Sequence, residues 1–248
     1  MSPGEASLLI DKAGALSYGR CMLRQDSVPS DSAGPSLNLN EYMTTHDHYY
    51  SHHPASHSQP RIISFELLGR RWRFETDAGV FSRDRLDRGT RLLAESIAFP
   101  QSGRLLDWGC GYGVLGVVAA AQTRLEVCMV DANQRAVFLA ERNASLNEVS
   151  NVQVLCSDGA APFREGSFDM IVSNPPIRAG NRVIFGLIDD APSKLREGGQ
   201  LCLVVQTRQG AASVARRMAT AFGNVQTLGR SGGYRVLRSA RKRGDALE

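Results

Sequence analysis

The run Arg104-Leu105-Leu106-Asp107-Trp108-Gly109-Cys110-Gly111-Tyr112-Gly113, continuing into Val114-Leu115-Gly116-Val117-Val118, decides the fold. A short apolar segment at 104–109 stops at closely spaced glycines, and the helix-forming segment VLGVVAAAQ follows directly. Glycine supplies the positive φ angles of a tight strand-to-helix turn and lets a ligand come close to the backbone. In an open α/β sheet, ligands dock at such a strand end.

Outward from that loop, strand and helix signals alternate. Strands are expected at 125–131 (LEVCMVD), 152–158 (VQVLCSD), 168–176 (FDMIVSNPP) and 201–206 (LCLVVQ). Helices are expected in QRAVFLAERNASLN, in 182–195 and in SVARRMATAF. VQTLGRSGGYRVLRS reads as two strands joined at Gly232-Gly233. Strands that are apolar on both faces, interleaved with helices, imply a parallel sheet covered on both sides. The expectation is an α/β, Rossmann-like, seven-stranded, mostly parallel sheet with one antiparallel strand and helices on both faces.

Upstream, RIISFELLG and RRWRFETD predict a β-hairpin around Gly69, followed by a helix with Leu92, Leu93, Ile97 and Phe99 on its apolar side. Residues 1–45 are rich in Ser, Gly, Pro and Asn without periodicity and read as a disordered leader. The division expected is a leader at 1–45, an extension with hairpin and helix at 46–100, and a ligand-binding domain at 101–248. All five histidines (His46, His48, His52, His53 and His57) fall in one tract, but no Cys or acidic cluster beside it fixes a coordination geometry, so no metal is expected.

Composition narrows the class. The chain has 248 residues, 42% of them hydrophobic, enough for a substantial core. No apolar run approaches the ~18 residues of a membrane span or forms a secretory signal, so a cytoplasmic protein is expected. Five cysteines lack C-x-x-C spacing and four of them sit in apolar or Gly-rich runs that suit core thiols, so no disulfide framework is expected. The net charge of +4 hides an asymmetry: residues 178–243 carry +10, and 26 of the 29 basic residues are Arg. Arg suits forked phosphate contacts, so the segment points to a polyanionic partner.

The glycine loop admits two ligands. Gly111-Tyr-Gly113-Val-Leu-Gly116 satisfies the dinucleotide pattern, and Asp131, at the end of the next strand, is placed to hold ribose hydroxyls in either case. Asp107 discriminates. Its charge would oppose a pyrophosphate but suit an amino group or sulfonium, and the chain lacks a Tyr-x-x-x-Lys pair for short-chain dehydrogenase chemistry. D-x-G-x-G-x-G therefore resembles the S-adenosylmethionine loop of class I methyltransferases, with Asp107, Gly109, Gly111, Gly113 and Asp131 on the cofactor and Asp158 at its adenine amino group.

The fourth strand of that series ends in Ser173-Asn174-Pro175-Pro176-Ile177, similar to the Asn-Pro-Pro-aromatic motif of methyltransferases acting on planar amino groups. An exocyclic NH₂ is a poor nucleophile because its lone pair is delocalised into the ring. The Asn174 side-chain oxygen and the Pro175 carbonyl can each accept one N–H bond and turn the nitrogen towards sp³ character. Pro175 and Pro176 stiffen the backbone that presents that carbonyl. Alignment of this kind can lower a barrier by roughly 7–11 kcal/mol.

With both motifs placed, the resemblance extends over roughly 48–239, through VFSRDRLDRGTRLL, LLDWGCGYGVLG, FDMIVSNPPIRAGN and LREGGQLCLVVQTRQGA. Together they resemble the small-subunit rRNA guanine-N2 methyltransferases of the RsmC type, in compact form without the duplicated N-terminal domain. The resemblance implies methyl transfer from S-adenosylmethionine to N2 of a guanine in 16S rRNA, on naked rRNA or a ribosomal small-subunit particle. It also implies that Phe81 and the Asp87-Arg88-Gly89-Thr90 stretch line the cofactor pocket. Ile177 stands where larger members have an aromatic ring to stack on the base, leaving Trp72, Phe81, Tyr49, Tyr50 and Phe185 as candidates for that task. Arg178 and Arg182 follow the motif at the expected substrate mouth, and Arg208 holds a similar edge, whereas Arg216 and Arg217 read as solvated. Two alternatives stay open: an amino group of a protein glutamine or small molecule as acceptor, or a non-catalytic RNA-binding assembly factor.

Overall fold

The structure, a computed structural model, describes residues 56–176 and 180–242. The expected leader, His46, His48, His52, His53, Tyr49, Tyr50, Ile177 and Arg178 lie outside the described residues.

The chain order is β1 (Arg61–Leu67), β2 (Arg70–Thr76), α1 (Arg88–Ser96), β3 (Ser102–Trp108), α2 (Val114–Gln122), β4 (Arg124–Asp131) and α3 (Gln134–Leu146). Then follow β5 (Val152–Cys156), β6 (Phe168–Ser173), α4 (Asn181–Lys194), β7 (Leu195–Gln206), α5 (Ala211–Phe222), β8 (Gln226–Ser231) and β9 (Tyr234–Ala240). Strands β3 to β9 form a seven-stranded sheet in the order β5-β4-β3-β6-β7-β9-β8. Neighbours from β5 to β7 are parallel, and β9 runs antiparallel to both β7 and β8. The fold is the α/β Rossmann-like sheet with one antiparallel strand that the sequence predicts.

Side-chain alternation along the strands sorts the core into two layers. Leu105, Val204 and Val236 join Leu93 of α1, Val117 of α2 and Leu139 of α3 on one face. Their chain neighbours Leu106, Val205 and Leu237 join Ile188 of α4 and Met218 of α5 on the other. The order of strands reverses at β3, whose partners β4 and β6 lead away in opposite directions. That reversal opens a crevice at the carboxyl ends of β3, β4 and β6.

The hairpin turns through Leu68 and Gly69, both at positive φ (50° and 73°), as a two-residue connection requires. Its inward face (Phe65, Leu67, Trp72 and Phe74) joins the same core as α2 and α3. The free edge of β2 is covered by a helix. Asn143 of α3 accepts the Glu75 amide at 2.6 Å and donates to the Glu75 and Tyr112 carbonyls at 2.9 and 2.8 Å. One turn on, Asn147 donates to the Arg73 carbonyl at 2.8 Å. Four residues of helix and two of strand span similar lengths, roughly 6–7 Å, so two carboxamides continue the ladder of an edge strand.

Several boundaries differ from expectation: β3 begins at Ser102, not 104, β5 ends at Cys156, not 158, and β6 at Ser173, not 176, before the two prolines. Strand β7 begins at Leu195, six residues before the expected start at 201. Gly198 and Gly199 lie inside the strand, where a Cβ at Gly199 would lie 3.0 Å from the Phe168 carbonyl oxygen. The glycine lets the strand pass through a register shift against β6. Helix α1 ends at Ser96, so Phe99 packs on the core from beyond the helix and not from its apolar face.

Candidate active site

The loop between β3 and α2 wraps the carboxyl end of β4. The amides of Gly109 and Cys110 both donate to the Val130 carbonyl, at 2.8 and 2.9 Å. Gly109, Gly111 and Gly113 take φ angles of 75°, 56° and 91°, conformations open to glycine and strained for other residues. A Cβ at Gly109 or Gly111 would meet nothing within 4 Å, and both residues line a cleft of about 600 Å³. Gly113 does not line it. A Cβ there would lie 3.0 Å from that of Ala140, so this glycine serves the packing of α2 on α3 rather than the cleft.

Two carboxylates brace the loop. Asp107 is buried at the end of β3, where Oδ2 accepts the Gly116 amide at 2.9 Å and Oδ1 has no hydrogen-bond partner. Burial pushes its carboxyl up to about 7, an effect the Gly116 bond opposes and the Asp131 charge reinforces. Asp131 accepts the Gly111 amide at 2.8 Å and the Asn133 amide at 2.9 Å, and burial raises its carboxyl above the ordinary range. Asp158, exposed in the segment after β5, lines the same cleft. Cys110 lines it too, but burial and the adjacent Asp131 and Asp107 push its thiol well above its usual value, away from the reactive thiolate.

The Asn-Pro-Pro segment meets this cleft from β6. Ser173, the last residue of β6, is buried and donates to the Trp108 carbonyl at 2.5 Å, tying the two strand ends together. Asn174, Pro175 and Pro176 all line the cleft. The Asn174 side-chain nitrogen donates to Asp87 Oδ2 and to Thr90 Oγ1, each at 2.9 Å. Its side-chain oxygen accepts no hydrogen bond among the described residues.

The loop carrying Phe81 closes the cleft's side through α3. The N-cap residue Asn133 donates to the Gly79 carbonyl at 2.9 Å, and Arg135 reaches the Ala78 carbonyl at 2.6 Å. Neither residue stood out by its motif, although Asn before an amphipathic helix is a legible cap. Of the Asp87–Thr90 stretch, Thr90 lines the cleft, while Asp87, Arg88 and Gly89 do not. Arg182 and Asp190, two turns apart on one face of α4, line it as well. Asp190 carries no motif that would single it out.

Of the candidate rings, Phe81 reaches the cleft. Trp72 is fully buried in the hairpin core and gives its Nε1 proton to the Leu67 carbonyl at 3.0 Å, so it cannot stack on a base. Phe185 turns away and lies under the Arg217 guanidinium, 5.7 Å from its centroid. Arg217 is not simply solvated, since it pairs with Asp189 and ties α5 to α4. Among the described residues, no group of three or more His, Cys, Asp or Glu is placed to hold a metal ion. Nor is any helix among them long and apolar enough to cross a membrane.

The Bacillus subtilis (strain 168) protein YbxB is 35% identical over 196 residues, covering 78% of this chain and 98% of the relative. The ribosomal RNA large subunit methyltransferase G of Yersinia enterocolitica is 29% identical over 196 residues, covering 76% of this chain and 49% of that enzyme. Among solved structures, the 16S rRNA N2 methyltransferase RsmC of T. Thermophilus, in complex with AdoMet and guanosine, matches with a TM-score of 0.66 and 28% identity. That match covers 76% of this chain and 52% of RsmC, so the chain spans about half the length of either named enzyme. Residues 71–238, from within β2 to within β9, match the methyltransferase small domain family, and the chain belongs to it.

Proposed function

We propose that this protein transfers a methyl group from S-adenosylmethionine to the exocyclic N2 amino group of a guanine in 16S rRNA, in the cytoplasm. One observation carries the reading: the Asn174 carboxamide, its nitrogen tied back to Asp87 and Thr90, shares a single cleft with Gly109, Gly111 and Asp131. The cleft suits the donor. Asp107 Oδ1 is a buried acceptor without a partner, fitting an amino group or sulfonium, and the space beside Gly109 and Gly111 would be lost to any side chain. Asp131 retains lone pairs for ribose hydroxyls, and Asp158, which lines the same cleft, would accept from the adenine amino group.

When bound, the donor supplies an electrophilic methyl on a sulfonium. The chain's own part is alignment. Asn174 Oδ1 and the Pro175 carbonyl each accept one N–H of the planar amino group, freeing its lone pair from the ring. As the nitrogen gains positive charge, its N–H bonds become stronger donors, so both acceptors bind the transition state more tightly than the ground state. Of the described candidates Phe81 lines the cleft, which supports it as the ring that stacks on the base in place of an aromatic at Ile177, with stacking worth roughly 1–3 kcal/mol. The rRNA-methylating relatives and the +10 charge of residues 178–243 support a nucleic-acid acceptor.

The test is mass spectrometry of rRNA nucleosides from cells lacking the gene, with the missing methyl mapped to its nucleotide. One N2-methylguanine is expected to vanish from 16S rRNA and to return with the wild-type gene. Asn174→Ala should not restore it, since losing the alignment costs roughly 10²-fold or more in rate. An unchanged set of rRNA methyl groups would remove rRNA as the acceptor.

A further inference from the structure

We propose that Asp87 is a positioning residue that sets which end of the Asn174 carboxamide faces the acceptor, and so restricts acceptors to groups that donate a hydrogen bond. The inference rests on the function proposed above and deepens it. The two ends of a carboxamide are nearly the same size, and nothing in the steric fit of Asn174 distinguishes them. Flipped, the side chain would present N–H to an amino group, donor against donor. A carboxylate can only accept, so the Asp87 oxygen 2.9 Å away fixes the nitrogen on its own side. Thr90 Oγ1, also at 2.9 Å, takes the second amide hydrogen. Both N–H bonds are then used, and only the oxygen is left for the cleft.

Asp87 is itself held in place. The same Oδ2 accepts the Thr90 amide at 2.9 Å and caps the first turn of α1. Gly89 leaves the room for this: a Cβ there would lie 2.9 Å from Asp87 Oδ2 and 2.9 Å from Cε1 of Tyr234. The contact joins residues 87 positions apart, one at a helix cap and one at a strand end. The anion also polarises the amide, which enriches Oδ1 in electron density as the acceptor nitrogen becomes cationic.

Because Asp87 doubles as a cap, the test separates the two roles with Asp87→Ala, Asp87→Ser and Asp87→Asn, assayed on 16S rRNA from cells lacking the gene. Ser preserves the cap but removes the carboxylate, and Asn can place an oxygen at the same point. The expected result is a kcat about 10- to 100-fold lower in both Ala and Ser variants, with AdoMet affinity within about 3-fold of wild type. Ser should melt near the wild type, and Asn should recover most of the lost rate. Wild-type kcat in the Ser variant, or losses of kcat that track melting temperature across all three, would overturn the inference. A second readout needs no acceptor: the Asn174 side-chain amide protons should exchange slowly with solvent in the wild type and fast in Asp87→Ala. Equal exchange in both would overturn the clamp. Slow exchange in a wild-type protein that leaves rRNA unmethylated would overturn the function and leave the clamp standing.

Discussion

Asp107 holds the Gly116 amide at 2.9 Å through one carboxylate oxygen, while its other oxygen sits buried with no partner. Burial raises its pKa to about 7 from 3.8. Between roughly pH 4 and 7 the folded protein therefore keeps a proton that the unfolded chain has released. Its contribution to stability falls as pH rises through that window, the reverse of an ion-paired carboxylate. Asp107→Asn, neutral at every pH, removes the effect. The unfolding free energy of wild type relative to this variant should drop by up to a few kcal/mol between pH 4.5 and 7.5, on the order of 1.4 kcal/mol per unit of pKa shift. Urea titrations at both pH values test this, and a constant difference would refute it. A cationic donor needs the ionised form, so AdoMet affinity should rise with pH through 7 in wild type and stay level in the variant.

The glycines of the loop and of α2 divide by what a methyl group would meet. At Gly111 there is open space but a φ of 56°, so Gly111→Ala should cost about 1–2 kcal/mol of backbone strain and lose most AdoMet affinity by filling the cleft. At Gly116 the new Cβ would lie 2.4 Å from Met129 Sδ. Gly116→Ala should therefore destabilise by overpacking, about 1–3 kcal/mol, with any loss of affinity following the loss of fold. Calorimetry of binding beside thermal melts separates the two. Equal affinity losses at equal stability would contradict the assignment.

Asn143 carries a different kind of load. Its carboxamide serves the Glu75 amide and the Glu75 and Tyr112 carbonyls, all inside the protein. Asn143→Ala leaves these groups unpaired and should cost about 2–4 kcal/mol, seen as a lower urea midpoint with AdoMet affinity little changed once folded. Asn143→Leu, which restores volume without the bonds, should not recover the loss. Recovery would show that packing, not hydrogen bonding, joins α3 to the hairpin.

These groups also mark where sequence reading reaches its limit. Period-2 and period-3.6 patterns reveal the sheet and its helices because each apolar face is a local property of a few residues. The Asp107 loop and Asn174 are legible because their chemistry is concentrated in contiguous motifs. Asn143 reads only as a polar residue on a helix and Asn133 and Asn147 only as residues at its ends, since their partners at Glu75, Gly79 and Arg73 lie far away in the chain. Asp87 is legible as a cap, but its bond to Asn174 is not, because it depends on how α1 packs against the end of β6. Trp72 misleads for the same reason: an aromatic ring beside arginines suits a nucleic-acid surface, yet strand alternation turns it into the core.

The basic C-terminal third supplies the last prediction. Arg230 and Arg235 sit directly opposite each other on β8 and β9, an arrangement that costs stability unless an anion lies between them. Among the described residues, neither they nor Arg208 has a carboxylate within ion-pairing distance. If rRNA phosphates occupy this edge, the logarithm of the RNA association constant should fall linearly with the logarithm of salt, by about 0.7–0.9 per phosphate contacted. Arg230→Ala with Arg235→Ala should flatten that slope by roughly 1–2, weakening RNA of any sequence while AdoMet affinity holds. Filter binding across a salt series measures it. RNA binding indifferent to salt would take phosphates away from this edge and favour a protein or small-molecule acceptor.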